Sequence, residues 1–425
     1  MIRGSISAAW LLTAVAVVAQ EPVAPVPAPP PAAPPAITSR WARVDAALAL
    51  LEKRHVGIDP GHLESGLLSG LLTAADPGGR VILPADLSAL EKSGAGFTAN
   101  PGWKLSATNH LVVFQEPLDP ARNPDLRAGW ILTSLDGNPT GTNAWSSVAR
   151  QLRRDAPATV TLGLTDPLKG LTTNLAVQLA FTPEPPVALQ ESFLGDVRYV
   201  KLNGLYPRSA PEIQTALKPD PDLRGLILDL RDAGGEDVDA VLAAAALFCG
   251  PDKVLAQWKG LDDSGASDLR SAPWVGPGVE APVLVLINAH TRGASELFAA
   301  LLARCGRGVL LVGEPAAGDP LLRGSIPLDD GPVLRVATRK LVFAQGPALD
   351  ARTTLTPDVR VGDTDLVEPP PVDDRPLLAQ NHLRAADTAA HAAGVLLQNR
   401  IQHDAVLKRA VDIMLGLRAL PPKSR

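Results

Sequence analysis

Between residues 290 and 296 the chain sets an imidazole, two hydroxyls and a carboxylate close together: His290, Thr291, Ser295 and Glu296. Attack by a hydroxyl on an acyl carbon needs a base beside it and a group that orients the base. Ser295 is therefore a candidate nucleophile, with His290 nearby and Glu296 or Asp319 available to orient a base. A second role competes with this one. Ser295 stands where a helix is expected to start, and a serine there ordinarily caps backbone N–H groups. Metal chemistry has no such cluster. The seven histidines are dispersed, none pairs with a cysteine or carboxylate at ligand spacing, and neither a metal nor another cofactor is expected.

The elements around these residues alternate as an α/β domain requires. After the Pro-rich joint Pro183 to Pro186, strands are expected at Val197–Leu202, Gly225–Leu230, Val283–Ile287 and Val309–Val312. Helices are expected at Pro211–Leu217, Val238–Phe248 and Ala294–Ala303. Upstream, residues 97–179 read as short strands, among them 111–114, 130–132, 160–164 and 175–179, with one amphipathic helix near 144–153. Apolar residues recur at helical spacing from Trp41 to Leu72 and predict two helices, closed by the turn Asp76-Pro77-Gly78-Gly79. A further short helix is expected from Pro84. Beyond Pro369-Pro370-Pro371, Ala and Leu repeat at three and four residues from Leu377 to Leu417, a helical tail.

Two resemblances follow from motifs. Residues 126–139, Leu-Arg-Ala-Gly-Trp-Ile-Leu-Thr-Ser-Leu-Asp-Gly-Asn-Pro, resemble the PDZ pattern of a Gly turn, a strand and an Asp-Gly hairpin. A PDZ domain adds an extended peptide to a sheet edge and holds its terminal carboxylate in a glycine-containing loop. That resemblance makes Gly94, Gly96 and Phe97, or Gly102 and Leu105, candidates for such a loop. The blocks Tyr199–Leu205, Gly225–Gly235, Ala281–Phe298 and Gly313–Gly318, in that order, resemble the carboxy-terminal processing (tail-specific) serine peptidases. The resemblance implies a crotonase-like, Clp-protease-like α/β peptidase core with a β-rich PDZ-like domain and flanking helices.

The likeness breaks at the chemistry. The family pattern Ser-Ala-Ser-Ala-Ser-Glu, whose middle serine attacks the peptide, reads Thr291-Arg292-Gly293-Ala294-Ser295-Glu296 here, so the nucleophile position is Gly293. The family's Phe-Gly-Lys-Gly reads Ala317-Gly318-Asp319-Pro320, which puts Asp319 at the position of the basic lysine. Arg323 stands where the family has glutamine. An oxyanion hole built from backbone N–H groups at Gly234, Gly235 and Ala294 would survive these changes. The resemblance thus implies a degenerate peptidase that binds peptide or protein C-termini. Two alternatives stay open: an active serine endopeptidase with a relocated set around Ser295, and a non-catalytic scaffold whose helical tail mediates oligomerisation.

Composition narrows the partners. The 425 residues are 46% hydrophobic with a formal charge of -5, and the 40 basic residues are scattered. Neither a nucleic-acid-binding stripe nor a polybasic membrane patch is visible. Arg3 and the apolar run Ala8–Ala19 have the layout of a secretory signal, with cleavage expected after Ala19 and a periplasmic or cell-envelope destination. No later apolar run is long enough to span a bilayer. The expected organisation is a leader at 1–19, a Pro/Ala-rich spacer at 20–37, a helical region at 38–95, a PDZ-like domain at 96–182, a peptidase-like core at 183–368 and a tail at 369–425. Cys249 and Cys305 allow at most one bridge; two buried small side chains is the favoured reading, and their pairing stays open.

Overall fold

Val283–Ile287 is a run of five apolar residues and forms β14, buried along its whole length. Val283, Val285 and Ile287 face one core while Leu284 and Leu286 face another, the alternation that a strand imposes. Its sheet runs β19 (Val359–Arg360), β15 (Val309–Gly313), β14, β11 (Gly225–Asp229), β10 (Val197–Leu202), β9 (Val187–Phe193). All neighbours are parallel except β9, which is antiparallel to β10. Strands apolar on both faces are what a parallel sheet covered on both sides needs.

A computed structural model describes residues 42–54, 60–108, 111–140, 145–193, 196–207, 209–218, 222–305, 308–329, 331–344, 346–362, 401 and 404–419. The expected leader, the Pro/Ala-rich spacer and the tail up to residue 400 lie outside the described residues. The chain divides into two compact units, one ending at His62 and one running from Leu63 onward. The first contains α1 (Ala42–Arg54), and α2 (Pro60–Ala75) begins at its end.

Within the second unit, α5 (Ala210–Leu217), α6 (Val238–Cys249) and α7 (Gly293–Cys305) cover one face of the parallel sheet. The other face receives α8 (Ala405–Ala419) through Val406, Leu407, Ala410, Val411 and Met414. That stripe is the apolar face expected of the tail, and each large side chain in it stabilises by about 1.5–3 kcal/mol when fully buried. Charge fixes the same helix. Arg231 donates to both carboxylate oxygens of Asp404, at 2.8 and 2.7 Å, and to the fully buried Asp229, at 2.7–3.2 Å. Burial opposes the charge on Asp229, but Arg231, Lys201 and the Tyr199 hydroxyl at 2.8 Å outweigh it and hold the carboxyl well below its ordinary range.

A separate sheet runs β2 (Phe97–Asn100), β8 (Leu171–Pro183), β7 (Ala158–Asp166), β5 (Ile131–Leu135), β4 (Leu111–Pro117), β3 (Trp103–Thr108), with β6 (Asn138–Pro139) folded back on β5. The expected Asp-Gly hairpin is present. Asp136 and Gly137 both take positive φ, 49° and 81°, as a two-residue hairpin turn demands. Val148 and Leu152 of α4 (Trp145–Leu152) pack with Phe114, Leu132, Leu162 and Val177 to close this second core.

Two small antiparallel sheets complete the unit. One is β13 (Ala266–Arg270), β12 (Val254–Gly260), β18 (Arg339–Val342), and the other is β1 (Arg80–Ile82), β17 (Val333–Ala337), β16 (Arg323–Pro327). The cysteines differ from expectation. Cys249 and Cys305, at the carboxyl ends of α6 and α7, are joined in a disulfide with Cα atoms 5.3 Å apart. The two helices pack together and bring residues 56 apart in sequence into bridging range.

Candidate active site

The loops that leave the carboxyl ends of β11, β14 and β15 meet at the amino end of α7, the end of a parallel sheet where ligands bind. Asn288 locks two of them together. Its Oδ1 accepts the backbone N–H groups of Asp232 and His290, each at 3.1 Å, and its Nδ2 donates to Asp232 Oδ1 at 3.2 Å. Thr291 is fully buried; its hydroxyl donates to Leu230 O at 2.9 Å and accepts from Asn288 N–H. It serves the backbone rather than a substrate.

Gly293 opens α7 at φ +60° and donates its N–H to Asp319 O at 2.8 Å. A Cβ added there would lie 2.3 Å from Gly235 O, so a backbone carbonyl fills the volume that a nucleophilic side chain would enter. The same carbonyl accepts the Ala294 N–H at 2.9 Å, and the Gly234 N–H donates to Asn203 O at 3.1 Å. Two of the three expected oxyanion donors, Gly234 and Ala294, are therefore spent inside the protein. Gly235 N–H makes no backbone hydrogen bond among the described residues.

Ser295 is fully buried and its Oγ donates to Gly234 O at 2.7 Å. It ties the first turn of α7 to the glycine loop, and neither His290, which is exposed, nor Glu296 bonds to it. Glu296 is also fully buried. Its two oxygens accept the N–H groups of Gly318 at 3.1 Å and Asp319 at 2.8 Å. Burial pushes its carboxyl up to about 7 even though both bonds favour the charged form.

Asp319 accepts from Leu322 N–H at 3.3 Å and pairs with Arg323 Nη1 at 3.2 Å. Between them Leu321 holds φ +58°, a left-handed conformation that costs an ordinary L-residue about 1–2 kcal/mol. Arg323 is buried against Asp76, giving Nε to Oδ2 at 2.9 Å and Nη2 to Oδ1 at 2.6 Å. Ala337 N–H and Gly78 N–H also reach the Asp76 carboxylate. Burial opposes ionisation of Asp76, but these donors prevail and keep its carboxyl below the ordinary value; burial likewise opposes the charge of Arg323, whose pKa is nonetheless raised by Asp76 and Asp319. The Asp76–Arg323 pair joins residues 247 apart, and Asp76 reads in sequence only as the first residue of a turn.

The rim is charged. Arg292 pairs with Asp155 at 3.0 Å, Arg150 with Asp232 at 2.9 Å and Arg335 with Glu236 at 2.5 Å. Tyr206 donates to Glu184 at 3.0 Å, and Arg153 also pairs with Glu184. Burial first, then Glu184, drives the Tyr206 phenol upward.

The two glycine loops considered for carboxylate capture lie at different turns. Gly94 ends α3 (Pro84–Gly94) and Gly96 lies between that helix and β2, where Gly96 N–H donates to Ser93 O and Gly96 lies against the Tyr206 ring. Phe97 begins β2. Gly102 precedes β3, its N–H held by Asn100 Oδ1 at 2.9 Å, and Leu105 lies within that strand. On the edge strand β2, Ala99 exchanges both backbone hydrogen bonds with Arg154, each at 2.9 Å. That edge is therefore covered at Ala99.

The mixed sheets and the loops converging on α7 fit a peptidase core. Residues 196–361 match the model of Peptidase family S41, and the chain carries a domain of that family. Its homologues are named as carboxy-terminal processing proteases. The chain is 27% identical to the chloroplastic C-terminal processing peptidase of Tetradesmus obliquus over 309 residues, covering 67% of this chain and 65% of that one. It is 23% identical to the carboxy-terminal-processing protease of Bartonella bacilliformis over 312 residues, covering 71% and 70%. The chain thus spans just under two thirds of the first of these relatives. A solved photosystem II D1 C-terminal processing protease is similar at 22% identity and TM-score 0.44, over 77% of this chain and 88% of that one. No helix among the described residues is long and apolar enough to cross a membrane.

Proposed function

We propose that this chain is an exported, catalytically silent homologue of the carboxy-terminal processing peptidases. It binds peptide or protein C-termini in the cleft of its S41 domain, with residues 96–182 serving as a PDZ-like module. The observation that carries the reading is the nucleophile position: Gly293 has no attacking atom, and Gly235 O stands 2.3 Å from where a Cβ would be. At the base position, Asp319 has Arg323 as its partner instead of a hydroxyl. A Ser/Lys pair works only when a neutral lysine takes the proton of an attacking hydroxyl. By analogy with serine triads, an enzyme stripped of nucleophile and base keeps about 10³- to 10⁴-fold acceleration over water, which is invisible against a peptide bond. With Gly234 and Ala294 already bonded, even that remainder shrinks.

The test is to incubate the purified chain with an unfolded protein and with peptides of apolar C-terminus, following cleavage by mass spectrometry and binding by fluorescence anisotropy. Binding without cleavage is the expected result. Cleavage that disappears in Ser295→Ala would overturn the proposal and establish a relocated serine. A stable oligomer that neither binds nor cleaves would mark a scaffold.

A further inference from the structure

The short strand β1 pairs with β17 so that Arg80 stands directly opposite Arg335. Like charges in opposed positions of an antiparallel pair destabilise it. Here they sit in a strand of only three residues, where little other pairing offsets the repulsion. Arg80 is solvent-exposed, and no hydrogen bond or ion pair of its side chain occurs among the described residues. Arg335 gives one nitrogen to Glu236, the residue after Gly235, and Arg292, the residue before Gly293, is paired with Asp155. Arg292 and Arg335, which flank the Gly234–Gly235 loop and the start of α7, each have a carboxylate partner, whereas Arg80 has none among the described residues. The register that sets Arg80 across from Arg335 places it beside the pair that Arg335 makes with Glu236.

We infer that Arg80 and Arg335 form a carboxylate subsite at the cleft mouth, which takes an acidic group of a bound peptide, either its free terminus or an Asp or Glu side chain. The inference rests on the peptide-binding reading above. A planar guanidinium fork matches a carboxylate with two parallel N–H donors, and an anion between two arginines turns their repulsion into attraction. Arg335 keeps donors beyond the one that reaches Glu236, and Arg80 offers all of its own.

The experiment uses the full chain and three versions of one apolar-tailed peptide: with Glu near the tail, with Gln in its place, and with Glu but an amidated terminus. Binding is measured by anisotropy at low and high salt, for the parent and for Arg80→Gln. The carboxylate that the subsite takes should tighten binding to the parent by about tenfold over its neutral twin, and Arg80→Gln should abolish that gain while the neutral peptide binds unchanged. Loss with Gln assigns the side chain; loss on amidation assigns the terminus. Arg335→Ala should remove the same gain, and thermal melting of Arg80→Gln at or above the parent value checks that the fold is kept. Equal binding of all three peptides to the parent would overturn the subsite while leaving peptide binding intact. No binding of any peptide would overturn both.

Discussion

Gly293→Ser puts a hydroxyl at the position where the sequence resemblance expects the nucleophile, and the structure says what it would cost. The residue holds φ +60°, so any side chain there costs about 1–2 kcal/mol in backbone strain. The new Cβ would stand 2.3 Å from Gly235 O, far inside contact distance, and the obstacle is a carbonyl rather than the end of a flexible side chain. Moving that carbonyl breaks the 2.9 Å bond from Ala294 N–H, a further loss of about 1 kcal/mol. The sum is a destabilisation of about 2–3 kcal/mol, measured by denaturant unfolding of the parent, Gly293→Ala and Gly293→Ser. The alanine variant should lose nearly as much as the serine one, because both lose through the Cβ. Neither should react with a fluorophosphonate probe, and adding Asp319→Lys should not produce peptide cleavage, since the lysine would meet the guanidinium of Arg323. Stability of Gly293→Ser within about 0.5 kcal/mol of the parent, the range of an unconstrained surface change, together with probe labelling of the introduced serine, would refute the reasoning and show that the Gly234–Gly235 loop yields freely.

Other perturbations report on the supports of the site. Arg323→Gln should destabilise by about 3 kcal/mol because it strands the buried Asp76 carboxylate, and Asp76→Asn in the same chain should recover much of the loss in a double-mutant cycle. Glu296 has its folded pKa raised to about 7 from 4.5, so its contribution favours the folded state below pH 4.5 and is lost as the pH rises through 7. The stability difference between parent and Glu296→Gln should therefore change by about 3 kcal/mol across that window and be flat above it, as read by unfolding at a series of pH values. Asp76 and Asp229 have lowered pKa values and act in the opposite sense: their stabilisation is present above the ordinary carboxylate range and disappears in acid. Arg231→Met should destabilise by about 3 kcal/mol and raise hydrogen exchange in α8, because Asp229 loses its main partner and Asp404 its anchor; unchanged exchange in α8 would sink that link.

Legibility in the sequence follows how local the physics is. The expected bounds of β10 and β14 coincide with the observed strands because a buried parallel strand is a bare apolar run. By contrast β1, β16 and β17 are short and carry Arg80, Arg323, Gly324 and Arg335, so no alternation marks them. The cysteine pairing is equally hidden, since it depends on two helix ends meeting rather than on any spacing.

The candidate site divides along the same line. That Gly293 and Asp319 cannot act as nucleophile and lysine base is a matter of residue type and can be read off the chain. What occupies the vacated space is not, because it depends on the dihedral angles of three loops at once. The glycine loop folds its carbonyl inward, Ala294 satisfies that carbonyl, and Ser295 draws Gly234 O to the helix start. The serine read as a rival nucleophile is one of the bonds that hold the loop shut, so Ser295→Ala should loosen the site, not silence it: a loss of about 1 kcal/mol in unfolding free energy with no change in any cleavage. A Ser295→Ala chain as stable as the parent would show that this bond contributes nothing to the closed arrangement.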